Sequence, residues 1–358
     1  MTNYDLHTLN SRPISRNNFN VNINQWNDVF EFDIFGRRQI VRYLLDMRGV
    51  DADLRLYRDT NRNCVFDSRD TLVASSLRPR TLPDTIDYRA TTGTYFAMVN
   101  RFSGRSISYD LDLSATYDLG VIGGGPRSRN NFSVTPSDPT DVFEFDIFGT
   151  RNINLSLHDV SFGDDVDLRL FRDTNRNGIF DASDRQVACF RLARNLFDLI
   201  YYRATSGTFF AQVVRFAPGS RGAATYDLDI SATAPRIASN LLGEEVQLGN
   251  LSGDRLLRGG VNNRDTTDTY AFSLGLYEGV NIRLGGLRND ADIRLVRDRN
   301  NNGIADAGEV IGSSTRAGRN PDAITNINQS GNYFVQVYQF NGNTPYSLLM
   351  DHYRTPFA

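Results

Sequence analysis

Asp28-Val-Phe-Glu-Phe-Asp-Ile-Phe-Gly36 recurs unchanged as Asp141-Val-Phe-Glu-Phe-Asp-Ile-Phe-Gly149, and in looser form as Asp268-Thr-Tyr-Ala-Phe-Ser-Leu274. Inside it, Phe30, Phe32 and Ile34 alternate with Val29, Glu31 and Asp33. A period of two with one apolar face is the mark of a half-buried strand. Further blocks repeat around this one. Asp53-Leu-Arg-Leu56 returns as Asp167-Leu-Arg-Leu170 and Asp292-Ile-Arg-Leu295. Gly93-Thr-Tyr-Phe96 returns as Gly207-Thr-Phe-Phe210 and Gly331-Asn-Tyr-Phe334. Tyr109-Asp-Leu-Asp-Leu113 returns as Tyr226-Asp-Leu-Asp-Ile230, and weakly as Tyr346-Ser-Leu-Leu-Met350.

The order of blocks never changes. They recur 113 to 117 residues on, then 120 to 127. That period is too long for a solenoid and suits three tandem domains of one fold. The expected division is 1–118, 119–234 and 235–358. Asn152, Asn154 and Ser156 alternate with Ile153, Leu155 and Leu157, again apolar in and polar out. Each copy is predicted to hold roughly seven or eight short strands, which makes the fold class all-β: three jelly-roll-like β-sandwich domains. The junctions Asp118 to Pro126, with Gly123-Gly-Gly125, and Ala232 to Ala238 read as short linkers. Asn3 to Asn27 reads either as an ordinary first strand or as a segment that pairs with a neighbour's edge.

Composition agrees. The 358 residues carry 39 Lys+Arg, every one of them Arg. Of 42 acids only Glu31, Glu144, Glu244, Glu245, Glu278 and Glu309 are Glu. Asp and Asn favour turns and hard-cation sites, whereas Glu and Lys are good helix formers. No Schiff base or P-loop lysine is available. A net charge of −3 gives no reason to expect nucleic-acid binding. No apolar run is long enough for a transmembrane helix. Met1 to Asn10 lacks the features of a cleavable signal, so an extracellular or cell-surface location implies an export route of another kind. Cys64 and Cys189 form no patterned disulfide framework.

The strongest local signal follows each Asp-Leu-Arg-Leu strand. Asp298, Asn300, Asn302, Gly303, Ile304, Asp306 and Glu309 occupy positions 1, 3, 5, 6, 7, 9 and 12 of a calcium-loop pattern. Copy two offers Asp173, Asn175, Asn177, Gly178, Ile179, Asp181 and Asp184; copy one offers Asp59, Asn61, Asn63, Cys64, Val65, Asp67 and Asp70. Ca²⁺ takes six to eight oxygens, from side chains and from the position-7 carbonyl. Asn177-Gly178 and Asn302-Gly303 also suit a plain β-hairpin turn, which accounts for those dipeptides but not for acids at positions 1, 9 and 12 in all copies. The expected affinity order is loop three, loop two, loop one, because Cys64 replaces the turn glycine and Asp70 and Asp184 are shorter than Glu309. Asp51 and Asp53, Asp165 and Asp167, and Asp290 and Asp292 precede the loops; they read as extra ligands or as the solvated face of a strand edge.

Together the Asp-x-Phe/Tyr-x-Phe, Asp-Leu-x-Leu, Gly-Thr-Tyr-Phe and Tyr-x-Leu blocks resemble the bacterial pre-peptidase C-terminal domain family. The resemblance implies a jelly-roll-like sandwich on secreted proteins, often appended to peptidases, often associated with calcium and sometimes with insoluble matrix. The loop here is longer than that family's usual Asn-Gly turn.

Catalysis is not expected. His7, His158 and His352 occupy no equivalent positions, and no nucleophile-elbow, His-Glu-x-x-His or Walker pattern occurs. Cys64 has no histidine nearby in sequence, and Gly123-Gly-Gly125 reads as linker. The function expected is an extracellular calcium-stabilised structural protein (rod, sheath, surface layer or filament) that self-associates. A carbohydrate- or matrix-binding module is the alternative, with Trp26 as a candidate contact.

Overall fold

The computed structural model describes residues 2–11, 14–36, 38–45, 51–79, 83–136, 138–176, 178–190, 197–217 and 222–356. The first nine strands are β1 (Thr2–Thr8), β2 (Ile14–Asn22), β3 (Asn27–Ile34), β4 (Arg38–Leu45), β5 (Ala52–Arg58), β6 (Thr71–Ser76), β7 (Asp84–Ala90), β8 (Gly93–Arg101) and β9 (Ser106–Val121). Eight follow: β10 (Arg127–Val134), β11 (Thr140–Ile147), β12 (Arg151–His158), β13 (Asp165–Arg172), β14 (Arg185–Phe190), β15 (Asp198–Ala204), β16 (Gly207–Ala217) and β17 (Ala224–Thr233). The last nine are β18 (Val246–Asn250), β19 (Arg255–Val261), β20 (Thr267–Leu274), β21 (Glu278–Gly285), β22 (Asp290–Val296), β23 (Val310–Ser314), β24 (Asp322–Ile327), β25 (Gly331–Asn341) and β26 (Thr344–Arg354).

Sheet β1-β3-β8-β5-β6 and strands β2, β9, β4 and β7 enclose a core containing Phe30, Phe32, Ile34, Leu54, Leu56, Val99 and Leu111. Strands β14-β13-β16-β11 and sheet β10-β17-β12-β15 enclose Phe143, Phe145, Leu155, Leu168, Phe209 and Leu228. Sheets β18-β20-β25-β22-β23 and β19-β26-β21-β24 enclose Phe272, Val280, Ile293, Leu295, Val335 and Leu348. The class is all-β sandwich, as the alternation predicts. Neighbours such as β3 with β8 and β2 with β9 are distant in sequence, so crossovers link the two layers. Among the described residues the first and third stretches hold nine strands, more than the seven or eight expected.

Two repeated blocks are tied together by one bond. Tyr109 OH donates to Asp28 Oδ2 at 2.6 Å, and Tyr226 OH to Asp141 Oδ2 at 2.6 Å; Tyr346 OH does the same for Asp268. All six residues are buried. Burial pushes the Asp141 and Asp268 carboxyls up to about 6, against the lowering effect of the tyrosine hydrogen bonds. Tyr226→Phe removes the donor and leaves a buried acceptor short of a partner, a loss of about 1–3 kcal/mol. A urea midpoint lowered at unchanged slope checks it.

The first junction is not a linker. β9 continues from the first core into the second: Leu111 and Leu113 pair with β4, and Tyr117, Asp118 and Val121 run parallel to Phe143, Glu144 and Asp146 of β11. Tyr117 packs in the second core, stacked on Phe143 at 4.9 Å. Arg38 of β4 lies 3.3 Å over the Tyr117 ring, and Val142 N donates to Ser11 Oγ at 3.1 Å. The Asn3 to Asn27 segment pairs at home: β1 runs parallel to β3, and β2 pairs with β9. At the second junction the polar face of β12 is buried rather than solvated. Asn154 Nδ2 donates to Ser231 Oγ at 3.0 Å, and Asn152 Nδ2 reaches the Ile237 carbonyl at 3.3 Å.

Candidate metal loops

Each acid loop closes a hairpin, β5–β6, β13–β14 or β22–β23. The hairpin and the calcium-loop pattern therefore coexist. At position 4, Arg62 (φ 59°), Arg176 (φ 60°) and Asn301 (φ 55°) are left-handed; at position 6, so are Cys64 (φ 55°), Gly178 (φ 70°) and Gly303 (φ 71°). This double turn aims backbone N–H groups at the position-1 acid. Asp59 accepts from Arg62 N at 2.6 Å and Cys64 N at 2.9 Å; Asp173 accepts from Arg176 N and Gly178 N at the same two distances. Asp298 accepts from Gly303 N at 2.9 Å and Asn302 N at 3.3 Å.

The remaining residues converge on position 9. Asn61 and Asn63 donate to Asp67 Oδ2 at 3.2 and 3.1 Å, and Asn300 and Asn302 to Asp306 Oδ2 at 3.0 and 2.9 Å. Asn175 Nδ2 reaches Asp181 at 3.4 Å. Asn177 lies outside the described residues. Val65, Ile179 and Ile304 hold position 7, and the Ile304 carbonyl accepts from Asp306 N at 3.1 Å. The length of the position-12 side chain shows here. Glu309 uses both oxygens, accepting from Arg299 N at 2.8 Å and Asp306 N at 2.9 Å. Asp70 and Asp184 accept from the position-9 N–H through Oδ2, while Oδ1 of each is buried with no hydrogen-bond partner. Burial, with Asp181 and Asp173 nearby, pushes Asp184 up to about 6; Asp70 is raised for the same kind of reason.

Sequence reasoning missed what fastens the loops. Phe66 packs edge-on against Tyr57 at 4.9 Å and Phe96 at 5.6 Å; Phe180 does likewise against Phe171 and Phe210. Ala305 replaces that aromatic in loop three. There backbone takes over: Leu242 N donates to Gly303 O at 2.7 Å and Ala305 N to Asn240 O at 2.8 Å. Glu245, Asp265 and Asp268 also bring one carboxylate oxygen each within 4.8 Å of one another, and could hold a hard cation. Only Glu245 belongs to the longer third entry, Ala238 to Asn263; Asp268 is the counterpart of Asp28 and Asp141.

One expectation fails in both its forms. Asp51, Asp53, Asp165, Asp167, Asp290 and Asp292 are all buried, so they are no solvated edge. They start β5, β13 and β22, whereas the loops follow the far ends, roughly 20 Å away for a seven-residue strand. They are not loop ligands. Cys64 and Cys189 are free thiols. Cys64→Gly relieves a left-handed non-glycine residue and is expected to stabilise the chain by about 0.5–1 kcal/mol. It should also lower the Ca²⁺ concentration that half-saturates loop one, read by calorimetric titration.

Sheets, cores and loops define an all-β protein of sandwich units that carry acid-rich hairpin loops. Residues 266–339 match the family model described as the bacterial pre-peptidase C-terminal domain. Among solved structures, the chain is similar to the pre-peptidase C-terminal domain of collagenase from Bacillus anthracis, with 14% identity over 32% of this chain and 94% of that one (TM-score 0.25). It is also similar to PliG, a periplasmic inhibitor of g-type lysozyme from Aeromonas hydrophila, with 7% identity over 32% and 98% (TM-score 0.24). A third is the triple jelly roll protein of an archaeal virus turret, with 10% identity over 97% and 89% (TM-score 0.19). No curated protein sequence matches the chain. Among the described residues, no helix is long and apolar enough to cross a membrane.

Proposed function

We propose that this chain is a non-enzymatic, calcium-stiffened extracellular structural protein of three pre-peptidase C-terminal-like domains, 1–118, 119–234 and 235–358, that self-associates into a larger assembly. The observation that supports it is where the loops sit. Loop two abuts the first sandwich: Asp87 Oδ2 stands 3.5 Å from where a side chain at Gly178 would begin. Loop three is bonded to residues 240–242, which lead into the third sandwich. Metal bound at either loop would set a joint between sandwiches as well as a hairpin. A rod whose joints are fixed by strand continuity, as at β9, and by loops suits a repetitive assembly.

Small-angle scattering and electron microscopy of the full chain, in millimolar Ca²⁺ and in EGTA, test this. Ordered multimers in Ca²⁺ that loosen in EGTA are expected. Monodisperse monomers at high concentration in Ca²⁺ count against it. The alternative, a carbohydrate or matrix ligand, is favoured by Trp26, which is 61% exposed with Arg101 4.7 Å over its ring. Retention on cellulose, chitin or collagen that Trp26→Ala abolishes would select that reading.

A further inference from the structure

The acids that the loops do not use form a second repeated set. In the third sandwich, Asp290 and Asp292 open β22 and Asp322 opens β24 in the opposing sheet. Their exposures are 9%, 2% and 0%. Asp322 Oδ1 is fixed by Ser314 Oγ at 2.6 Å and Arg316 N at 2.8 Å, while its Oδ2 is buried with no hydrogen-bond partner. Asp290 Oδ1 is likewise buried and unpartnered. The nearest sequence cation on the strand does not neutralise them: Arg294 is turned to Gln336 at 2.8 Å and to the Ser239 carbonyl.

The first sandwich repeats the arrangement. Asp84 Oδ1 accepts from Ser76 Oγ and from Arg78 N at 3.0 Å, and its Oδ2 is bare. Asp51 Oδ1 is bare as well, and so is Asn100 Oδ1, whose residue pairs directly across from Asp53. Arg55 pairs with Asp53 at 3.2 Å. The second sandwich keeps the same residue types at Asp165, Asp167 and Asp198.

Leaving a buried carboxylate oxygen without a donor is expensive, and gathering several acids there adds mutual repulsion. The cost recurs in the first and third sandwiches, with the same hydroxyl and N–H holding one oxygen of the third acid and leaving the other buried; in the second, Phe190 replaces the serine and Asp198 Oδ2 accepts from Leu168 N at 2.9 Å. Such outer bonds are what orient a metal ligand. An all-oxygen set fits a hard divalent ion of calcium type better than a transition metal.

We propose that Asp290, Asp292 and Asp322 form a Ca²⁺ site between the sheets of the third sandwich, separate from loop three, and that Asp51, Asp53, Asp84 and Asn100 form its counterpart in the first. Asp290 and Asp322 both stand close enough to Asp292 to act on its charge, so the three acids share one place. The competing account is that these acids hold no metal.

The test uses the full chain with Asp59→Ala, Asp173→Ala and Asp298→Ala, so that the loops are disabled and a failure of the loops does not mask this site. Adding Asp322→Asn keeps the acceptor for Ser314 and Arg316 and removes one charge. Calorimetric titration with Ca²⁺ is expected to lose one equivalent, with the melting temperature in EDTA unchanged or raised. Terbium supplies a second readout, because Tyr338 pairs directly across from Asp292 and serves as sensitiser. Luminescence excited through tyrosine should fall on Asp322→Asn and on Tyr338→Phe. Should Asp322→Asn fail to fold, Asp290→Asn is read in the same way. An unchanged Ca²⁺ stoichiometry together with unchanged terbium emission would overturn the proposal.

Discussion

Millimolar Ca²⁺ is expected to raise the melting temperature of the full chain by on the order of 10 °C over the same chain in EGTA. A ligand that binds only the native state adds about 2.7 kcal/mol per site at a hundredfold excess over its dissociation constant. Three loops would give about 8 kcal/mol, and in large domains each kcal/mol moves the midpoint by roughly 2 °C. The structure gives the gain a location. Asp70 Oδ1 and Asp184 Oδ1 are buried with no well-formed hydrogen bond, and a bound ion would give each a partner. Asp298→Ala should remove about a third of the increment and, because loop three holds residues 240–242, also loosen the second joint. Differential scanning calorimetry with and without metal decides it; a midpoint indifferent to calcium ends the loop reading.

Strands were legible because alternation and repetition coincide. Phe30, Phe32 and Ile34 had to face one way, and the core holds all three. The acid loops were legible as spacing, and the left-handed residues at positions 4 and 6 are where that spacing needs them. The first junction was not legible, because Asp118-Leu-Gly-Val-Ile-Gly-Gly-Gly125 has linker composition. Tyr117-Asp-Leu119 nonetheless repeats Tyr4-Asp-Leu6, and both run parallel to the Asp-Val-Phe-Glu-Phe strand. Asp290 and Asp292 were misassigned because adjacency in sequence was taken for adjacency in space, which a fully extended strand denies.

The absence of lysine also acquires a partial reason. Arg58 and Arg172 end the strand before each loop, Arg297 directly follows it, and they lie 5.9, 5.7 and 5.8 Å over Tyr95, Phe209 and Tyr333. Each also donates to a carbonyl beside a repeated glycine: Thr92 at 3.2 Å, Ser206 at 3.1 Å and Ser330 at 3.2 Å. Gly93, Gly207 and Gly331 have φ of 153°, 152° and 146°, which L side chains rarely adopt, with the guanidinium packed against them. A planar fork stacks on the ring and hydrogen-bonds at once; an ammonium does neither as well. The Gly-Thr-Tyr-Phe block is thus tied to the base of each acid loop.

At the first joint, the same chemistry makes stability depend on pH. Glu144 of β11 is pushed up to about 8, first by burial and then by Asp87, with Asp118 and Asp146 adding, while Thr116 donates at 3.0 Å and lowers it. Asp87 is pushed up to about 6 by burial, against the pull of Arg89. A carboxyl raised in the folded state binds more protons there than in the unfolded chain. Between its unfolded pKa of roughly 4.3 and its folded value, stability therefore falls as pH rises. In EDTA the chain should be more stable at pH 5 than at pH 8, with Glu144 alone contributing on the order of 2 kcal/mol. Glu144→Gln keeps a group that Thr116 can bond and removes the charge. It should raise the midpoint at pH 8 by several degrees and leave pH 5 almost unmoved. Glu31 holds the equivalent place in β3, less buried and facing Asp5 and Asp33, and is raised less far. Glu31→Gln should accordingly change the profile little. A Glu144→Gln chain whose midpoint shifts equally at both pH values would mean that the repulsion at this joint is not what titrates.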